Sequence, residues 1–467
     1  MVSLDVNWDH IRAQSIGGDY LGVETGISGV FSLIPGECLE FCAGTRLRQT
    51  YWSPKSVRTD EAHTSIETAA ATLRSATAHA IDSVASAHET LLVTLSGGFD
   101  SSVVLSYASS APTRPRVIGV NFHSRHSGDE RRYARSMSQN TGTQLVEVQL
   151  SSNAQLARVL SCSLTASPVP HLTAFETEPV LLELADANRA TGILTGQLGD
   201  DVFGHAHGPE MLVDCMAQCH LGRYTFLAFL DYATLQRISL LRALSLALAF
   251  RRRWARSSSW SFYEYRRNTL GPIPGALTTD AAVHQYENTL PRFLHPWLQD
   301  TGEMALGRIQ SIHSMICATS RWIQSGFSEV TDGFMLRPLA SQPIVEAALR
   351  IPTYLHFSGG QNGAVARRAF GSRLSQEVLQ RGKGKGTPEL WMSDLLSQNS
   401  ALLRETLLDG LLVGERILDR SRVERALTPN RSLPSTGVGE LINQLQIEAW
   451  LRQWATKRRA CGSPILR

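Results

Sequence analysis

The chain of 467 residues reads as an α/β protein: a parallel sheet with helices on both faces, followed by a helical C-terminal region. Three observations lead there. From about residue 90 to about residue 195, short apolar runs alternate with segments of helical periodicity, the pattern of βαβ units. One of those runs, Leu91-Leu92-Val93-Thr94-Leu95, passes directly into Ser96-Gly97-Gly98 and then a helix. Beyond residue 210 the strand signals stop and long helical stretches take over.

The elements follow in order. Residues 20–52 read as β structure, with Val30-Phe31-Ser32-Leu33-Ile34 and Cys38-Leu39-Glu40-Phe41 on either side of a Pro35-Gly36 turn. Residues 61–89 place Ile66, Ala70, Leu73, Ala76, Ala80, Ile81 and Val84 at helical spacing. Strand 91–95 then leads to a helix over about 100–110, strand 116–122, a helix over about 129–141 and strand 145–150. A helix over about 177–190 precedes a short strand at Ile193-Leu194-Thr195. Residues 240–250 are apolar nearly all round, which predicts a buried helix. The run Arg251-Arg252-Arg253-Trp254-Ala255-Arg256 and the Ser-rich aromatic segment after it could grip a peptide or nucleic acid, or form a solvated loop. These signals divide the chain into a β segment over 1–55, an α/β unit over 60–395 and a helical extension over 396–467.

Composition sets limits. A formal net charge of +3 and a pI near 8.5 are too mild to argue for nucleic acid. No run of about eighteen apolar residues could span a bilayer, and the first residues lack the basic and apolar regions of a signal peptide. The expectation is a cytoplasmic protein with no membrane and no nucleic-acid partner. Seven scattered cysteines do not form a disulfide framework. Cys215-x-x-x-Cys219-His220 and Cys38-x-x-x-Cys42 lack a second pair at useful spacing and read as ordinary buried thiols.

Two turns carry chemistry. In Ser96-Gly97-Gly98-Phe99-Asp100-Ser101-Ser102, the paired glycines let the backbone approach an anion, and the N–H groups opening the next helix point at it. Ser96, Ser101 and Ser102 can add hydroxyl donors, and Asp100 is an oxygen ligand suited to a phosphate-bound Mg²⁺. The turn lacks the lysine of the G-x-x-x-x-G-K-[ST] loop. In Thr195-Gly196-Gln197-Leu198-Gly199-Asp200-Asp201-Val202-Phe203-Gly204, adjacent carboxylates at a strand end call for a positive partner, for which a metal is the natural candidate. Further on, the Arg381-Gly382-Lys383-Gly384-Lys385-Gly386 loop suits a transition state that gathers negative charge.

The first turn resembles the pyrophosphatase loop of enzymes that split ATP into AMP and pyrophosphate, among them asparagine, argininosuccinate and β-lactam synthetases. The second resembles the G-x-G-[GSA]-D-[ED]-x-F-G motif of asparagine synthetases, with Leu198 in place of the usual glycine. The resemblance implies an adenine-nucleotide α-hydrolase-like fold. It also implies a nucleotide site at Ser96, Gly97, Gly98, Asp100, Ser101, Ser102 and Gly199, with Asp100 and Asp200 as a Mg²⁺ pair. Such enzymes activate a carboxylate as an acyl-adenylate and pass it to a nitrogen nucleophile. The family's R-x-K lysine matches Lys383, with Lys385 close enough to leave the assignment between them open. Gly29-Val30-x-x-Leu33-x-Pro35-Gly36 followed by Tyr51-Trp52-x-Pro54 is similar to the end of the family's glutaminase-like domain. Most of that domain is absent and Val2 stands where its catalytic cysteine would be, so glutamine-derived ammonia is not expected.

The block Pro338-Leu339-Ala340-Ser341-Gln342-Pro343-Ile344-Val345-Glu346 narrows the resemblance to lasso-peptide cyclases. Asparagine synthetases carry V-P-F-x-D here and a glutamate at the position of Phe334. The implied activity is an ATP-dependent ligase that adenylates an Asp or Glu side chain of a precursor peptide and closes a macrolactam, as in antibiotic biosynthesis. The implied partners are the precursor's core after leader removal, a leader peptidase and a leader-binding protein. Two other readings remain: a ligase acting on a free small molecule, and an inactive scaffold in a peptide-maturation complex.

Overall fold

A computed structural model of the chain describes residues 5–17, 22–58, 65–124, 129–150, 156, 160, 165–168, 174–204, 208–218, 222–255, 277–299, 304–323, 334–381, 388–428 and 435–460. The chain opens with helix α1 (Trp8–Gly17) and an antiparallel hairpin, β1 (Glu37–Cys42) and β2 (Thr45–Thr50). It continues through α2 (Ile66–Ala85), β3 (Thr90–Thr94), α3 (Phe99–Ser109), β4 (Arg116–His123), α4 (Arg131–Thr141) and β5 (Gln144–Gln149). Next come α5 (Ala174–Asn188), β6 (Gly192–Leu194), the short α6 (Gly199–Val202), α7 (Glu210–Gln218), α8 (Arg223–Gln236) and α9 (Leu240–Ala255). After them stand α10 (Asp280–Phe293), α11 (Leu306–Ile323), β7 (Met335–Leu336), α12 (Gln342–Leu349) and α13 (Ala364–Phe370). The C-terminal helices are α14 (Pro388–Gln398), α15 (Ser400–Leu408), α16 (Arg420–Ala426) and α17 (Ser435–Ala460).

The predicted fold class holds. Five parallel strands lie in the order β5-β4-β3-β6-β7. The alternation of the strands sorts their side chains between two layers. Leu91, Val93 and Leu194 join α2, α3 and α12 in one apolar cluster, whereas Leu92, Ile118, Val120 and Ile193 pack with Leu181 and Ala185 of α5 in another. Both faces are covered by helices, as the near-continuous apolar strands require. A separate cluster unites Ile11 of α1 and Ile27 with Leu407, Leu445 and Trp450, so the N-terminal segment is embedded among the C-terminal helices.

Five local expectations are corrected. Residues 8–17, not read as an element, form a helix whose Ile11, Ala13 and Ile16 are buried. Pro35-Gly36 does form a turn, with the Glu37 N–H donating to the Ile34 carbonyl at 3.1 Å, but the hairpin itself closes at Ala43-Gly44, because strand pairing runs from Glu37↔Thr50 to Cys42↔Thr45. The Val30–Ile34 run contributes only an isolated bridge, Glu24 to Phe31. That hairpin stands on the surface, which leaves Cys38 and Cys42 exposed; Cys215 is buried as expected, and Cys219 and His220 lie outside the described residues. Helix α9 buries only a narrow stripe, with Ala243, Ala247 and Phe250 inward and Leu241 79% exposed.

Asp214 on α7 fixes the start of α11. Its carboxylate accepts from the N–H groups of Leu306 (2.8 Å) and Gly307 (2.7 Å) and from the Thr353 hydroxyl (3.3 Å). Burial outweighs these donors and raises its pKa from 3.8 to about 6. The folded state therefore holds the proton more tightly than the unfolded chain, and stability falls as pH rises through that window. Relative to Asp214→Asn, the wild type should lose at most about 3 kcal/mol between pH 4 and pH 6, read from urea melts across that range. Parallel pH profiles for the two proteins would show that Asp214 titrates normally.

Candidate active site

The site is built where β3 and β6 end. Gly97 has φ +73°, and a Cβ there would lie 2.7 Å from Tyr133 Cβ and 3.0 Å from the Ala134 nitrogen of α4. Only glycine meets both demands. Gly98 caps α3 in extended conformation, and its N–H donates to Ser96 Oγ at 3.2 Å. The Ser101 and Ser102 hydroxyls donate to the Gly98 carbonyl at 3.3 and 2.7 Å, so they brace the loop from inside. Ser96, by contrast, is exposed at the mouth. The helix N-terminus behind the loop supplies main-chain donors and the positive end of a dipole, which fits a pyrophosphate group.

The second turn lies directly on this helix start. A Cβ on Gly196 would sit 2.6 Å from the Ser101 nitrogen, and one on Gly199 would sit 2.3 Å from both Cβ and Cγ of Asp100. The Asp100 side chain is therefore packed against Gly199, the residue before Asp200, and the structure brings the two predicted acids to one mouth. Among the described residues no group of three or more His, Cys, Asp or Glu converges as a metal site. Two carboxylates beside a phosphate cradle nevertheless fit Mg²⁺, which takes one or two protein acids and completes its shell with phosphate oxygens and water.

Leu198 has φ +69°, a left-handed conformation that strains a side-chain-bearing residue by about 1–2 kcal/mol. Its side chain is 4% exposed and joins the core with Val202 and Phe203, which offsets that strain. Ser314 of α11 donates to Asp201 Oδ1, and Arg337 Nε donates to Gln197 Oε1 at 3.0 Å. The turn is thereby held from two sides. Phe99, Phe203 and Phe370 interlock behind it, with ring centroids 5.1 to 6.4 Å apart. Arg367 lies 5.6 Å over the Phe99 ring.

Arg381, in the sequence motif only a spacing mark for the lysines, ties the start of its own loop to the Ser96–Ser102 turn. Its Nη1 donates to the Gly97 carbonyl at 2.8 Å, its guanidinium lies 4.6 Å over the Tyr133 ring, and Nη2 pairs with Glu130. Lys383 and Lys385 lie outside the described residues, as do Glu329 and Asp332. The segment that carries both lysines thus departs from a residue bonded to the Ser96–Ser102 turn. No local pattern marks Glu130 or Tyr133; their role follows from α4 packing beside α3. In the Ser-Gln-Pro block, Glu346 accepts from Trp52 Nε1 and Gln342 Nε2, both at 2.8 Å. Phe334 packs on the apolar cluster beneath the sheet.

The close contact at Gly199 makes a mechanical prediction. Gly199→Ala should lower stability by about 1–3 kcal/mol, read as a drop in the thermal midpoint, because the methyl overlaps the base of Asp100 rather than a flexible tip. An unchanged midpoint would show that the two turns are not in contact.

The sequence model of the asparagine synthase family matches residues 72–452, a span that takes in both turns, the Ser-Gln-Pro block and the Arg381 loop. No curated protein matches the chain.

Proposed function

This chain belongs to the asparagine synthase family, a family of ATP-dependent ligases, and we propose that it is a lasso-peptide cyclase. The reading rests on one observation above others: position 334, where asparagine synthetases carry a glutamate, holds a phenylalanine packed in an apolar cluster, and the cyclase-like block Pro338–Glu346 follows it. A free ammonia nucleophile would have no acid there to receive its proton. A peptide α-amine has an unperturbed pKa near 8, so roughly a tenth of it is already neutral at pH 7.

In this reading the substrate is the core of a precursor peptide freed of its leader by a leader peptidase, with a leader-binding protein as a further partner. The peptide's Asp or Glu carboxylate attacks the α-phosphorus of ATP, the α–β bond breaks, and pyrophosphate leaves. The peptide's N-terminal amine then attacks the activated acyl carbon, loses a proton, and displaces AMP as the macrolactam closes. The α3 N-terminus, Ser96 and the Gly97-Gly98 backbone receive the phosphates. Asp100 and Asp200 would hold Mg²⁺, which supplies charge neutralisation on the phosphate oxygens. The protein's own contribution is positioning and fixed charge, which suits a reaction whose reactivity resides in the mixed anhydride.

The products test it. Purified protein incubated with ATP, Mg²⁺ and a synthetic core peptide should yield AMP, pyrophosphate and a peptide lighter by one water. ADP as the nucleotide product would overturn the pyrophosphatase assignment. AMP formed with free aspartate but not with peptide would leave the family chemistry intact and replace the substrate class.

A further inference from the structure

The helix pair α8–α9 takes no part in the site and leaves an unusual surface. Tyr224, Phe226 and Leu230 of α8 are 75%, 60% and 41% exposed; Leu240, Leu241 and Leu244 of α9 are 38%, 79% and 40% exposed. The opposite faces are well packed, with Phe229, Tyr232, Ala243 and Ala247 in one cluster with Phe357. The exposed side chains are therefore not the product of a misjudged core stripe. Each helix presents a second apolar face.

Charge surrounds that face on one side of the balance only. Arg223, Arg237, Arg242, Arg251 and Arg252 are all exposed on or beside the two helices. From Cys215 to Ala255 the single acid is Asp231, whose carboxylate accepts from the Gly359 N–H at 2.9 Å. Among the described residues no single helix is long and apolar enough to cross a membrane; Arg223–Gln236 and Leu240–Arg252, bent by 105°, reach that length and apolar composition only when taken together, a level that buried core helices also reach. Aromatic and leucine side chains flanked by arginines are the composition of helices that lie in the headgroup boundary. A rim of five exposed arginines, with Asp231 the single acid from Cys215 to Ala255, is complementary to anionic lipid.

We propose that α8 and α9 form a peripheral docking face for an anionic lipid bilayer, with the leucines and aromatics in the acyl boundary and the arginines at the headgroups. This is contact from one side and not a span, so it goes beyond the sequence expectation of no membrane partner, which rested on span length and on the lack of signal-peptide features, neither of which tests for a peripheral face. A bilayer rather than a protein is favoured because the face is the outer surface of two helices at a steep angle, and fluid lipid needs no matching shape.

Flotation of the full chain with vesicles tests this. At low salt the protein should float with vesicles containing about one-third phosphatidylglycerol and bind neutral phosphatidylcholine vesicles at least about ten-fold more weakly. The double variant Phe226→Ser, Leu241→Ser should lose about ten-fold or more of the anionic-vesicle affinity. Arg251→Gln with Arg252→Gln should lose several-fold per arginine, and about 0.5 M salt should release much of the bound wild type. These positions are exposed, and unchanged circular-dichroism melts will show that the variants fold; if the serine variant does not, the arginine variant and the salt titration of the wild type carry the test. Absence of wild-type binding to anionic vesicles overturns the proposal, as does binding indifferent to both sets of changes. A wild-type dimer that the serine variant dissolves, or capture of an acidic protein without vesicle binding, assigns the face to a protein and equally overturns it.

Discussion

Asp100→Asn and Asp200→Asn should each reduce AMP formation by about three powers of ten or more, a loss on the order of 4 kcal/mol of transition-state stabilisation. Each substitution keeps side-chain volume and removes one anionic oxygen donor. The structure explains why neither acid should replace the other. Asp100 is fixed in the first turn of α3 and packed against Gly199, whereas Asp200 opens α6 on the opposing turn. As proposed Mg²⁺ ligands they come from two different turns, so with one gone the other would remain a single ligand. Pyrophosphate release at saturating ATP measures the effect, and raising Mg²⁺ should recover part of the loss if metal affinity is what was weakened. Near-normal turnover in either single variant, with an unaltered melting curve, would remove the metal assignment.

The second large effect is expected in the Arg381 loop. Lys383→Met should lower kcat by two to three powers of ten, on the order of 3–4 kcal/mol, with little change in ATP affinity, because a cation that acts on the transition state is not needed to bind the ground state. Lys385→Met should cost less. The ranking rests on the spacing from Arg381, and Arg381 is held by Gly97, Glu130 and Tyr133 at the root of the loop. If both variants keep kcat and only raise the peptide KM, the loop clamps substrate and does not stabilise charge.

Much of the fold was legible. The strands at 90–94, 116–123, 144–149 and 192–194 lie within a residue or two of the sequence expectation. Their apolar runs have the right length for a strand, and the segments between them have helical period. The Ser96–Ser102 turn was equally readable as a glycine turn, since a positive φ at Gly97 is a demand that glycine announces. Helix α1 escaped notice because its burial is shared between distant partners. Gln14 donates to the Pro168 carbonyl, and Ser15 bonds Gln444, 429 residues away. A face that packs polar and apolar groups against different elements shows no clean amphipathic stripe. Helix α9 was misread for the complementary reason: an all-round apolar run predicts burial, but sequence cannot say that a neighbour covers one side only.

What the sequence determined by itself were the features encoded over a few consecutive residues: strand and helix periods, the glycines of both turns, and the acids at their ends. Those follow from backbone sterics and local hydrogen bonding, which act over one or two turns of chain. What only the tertiary structure decided were the meetings across long separations. Gly199 settles on Asp100, Arg381 crosses 284 residues to the Gly97 carbonyl, and α8 and α9 are left with one face uncovered. Such contacts depend on how whole layers pack, and close packing admits one arrangement of side chains that no local window of sequence contains.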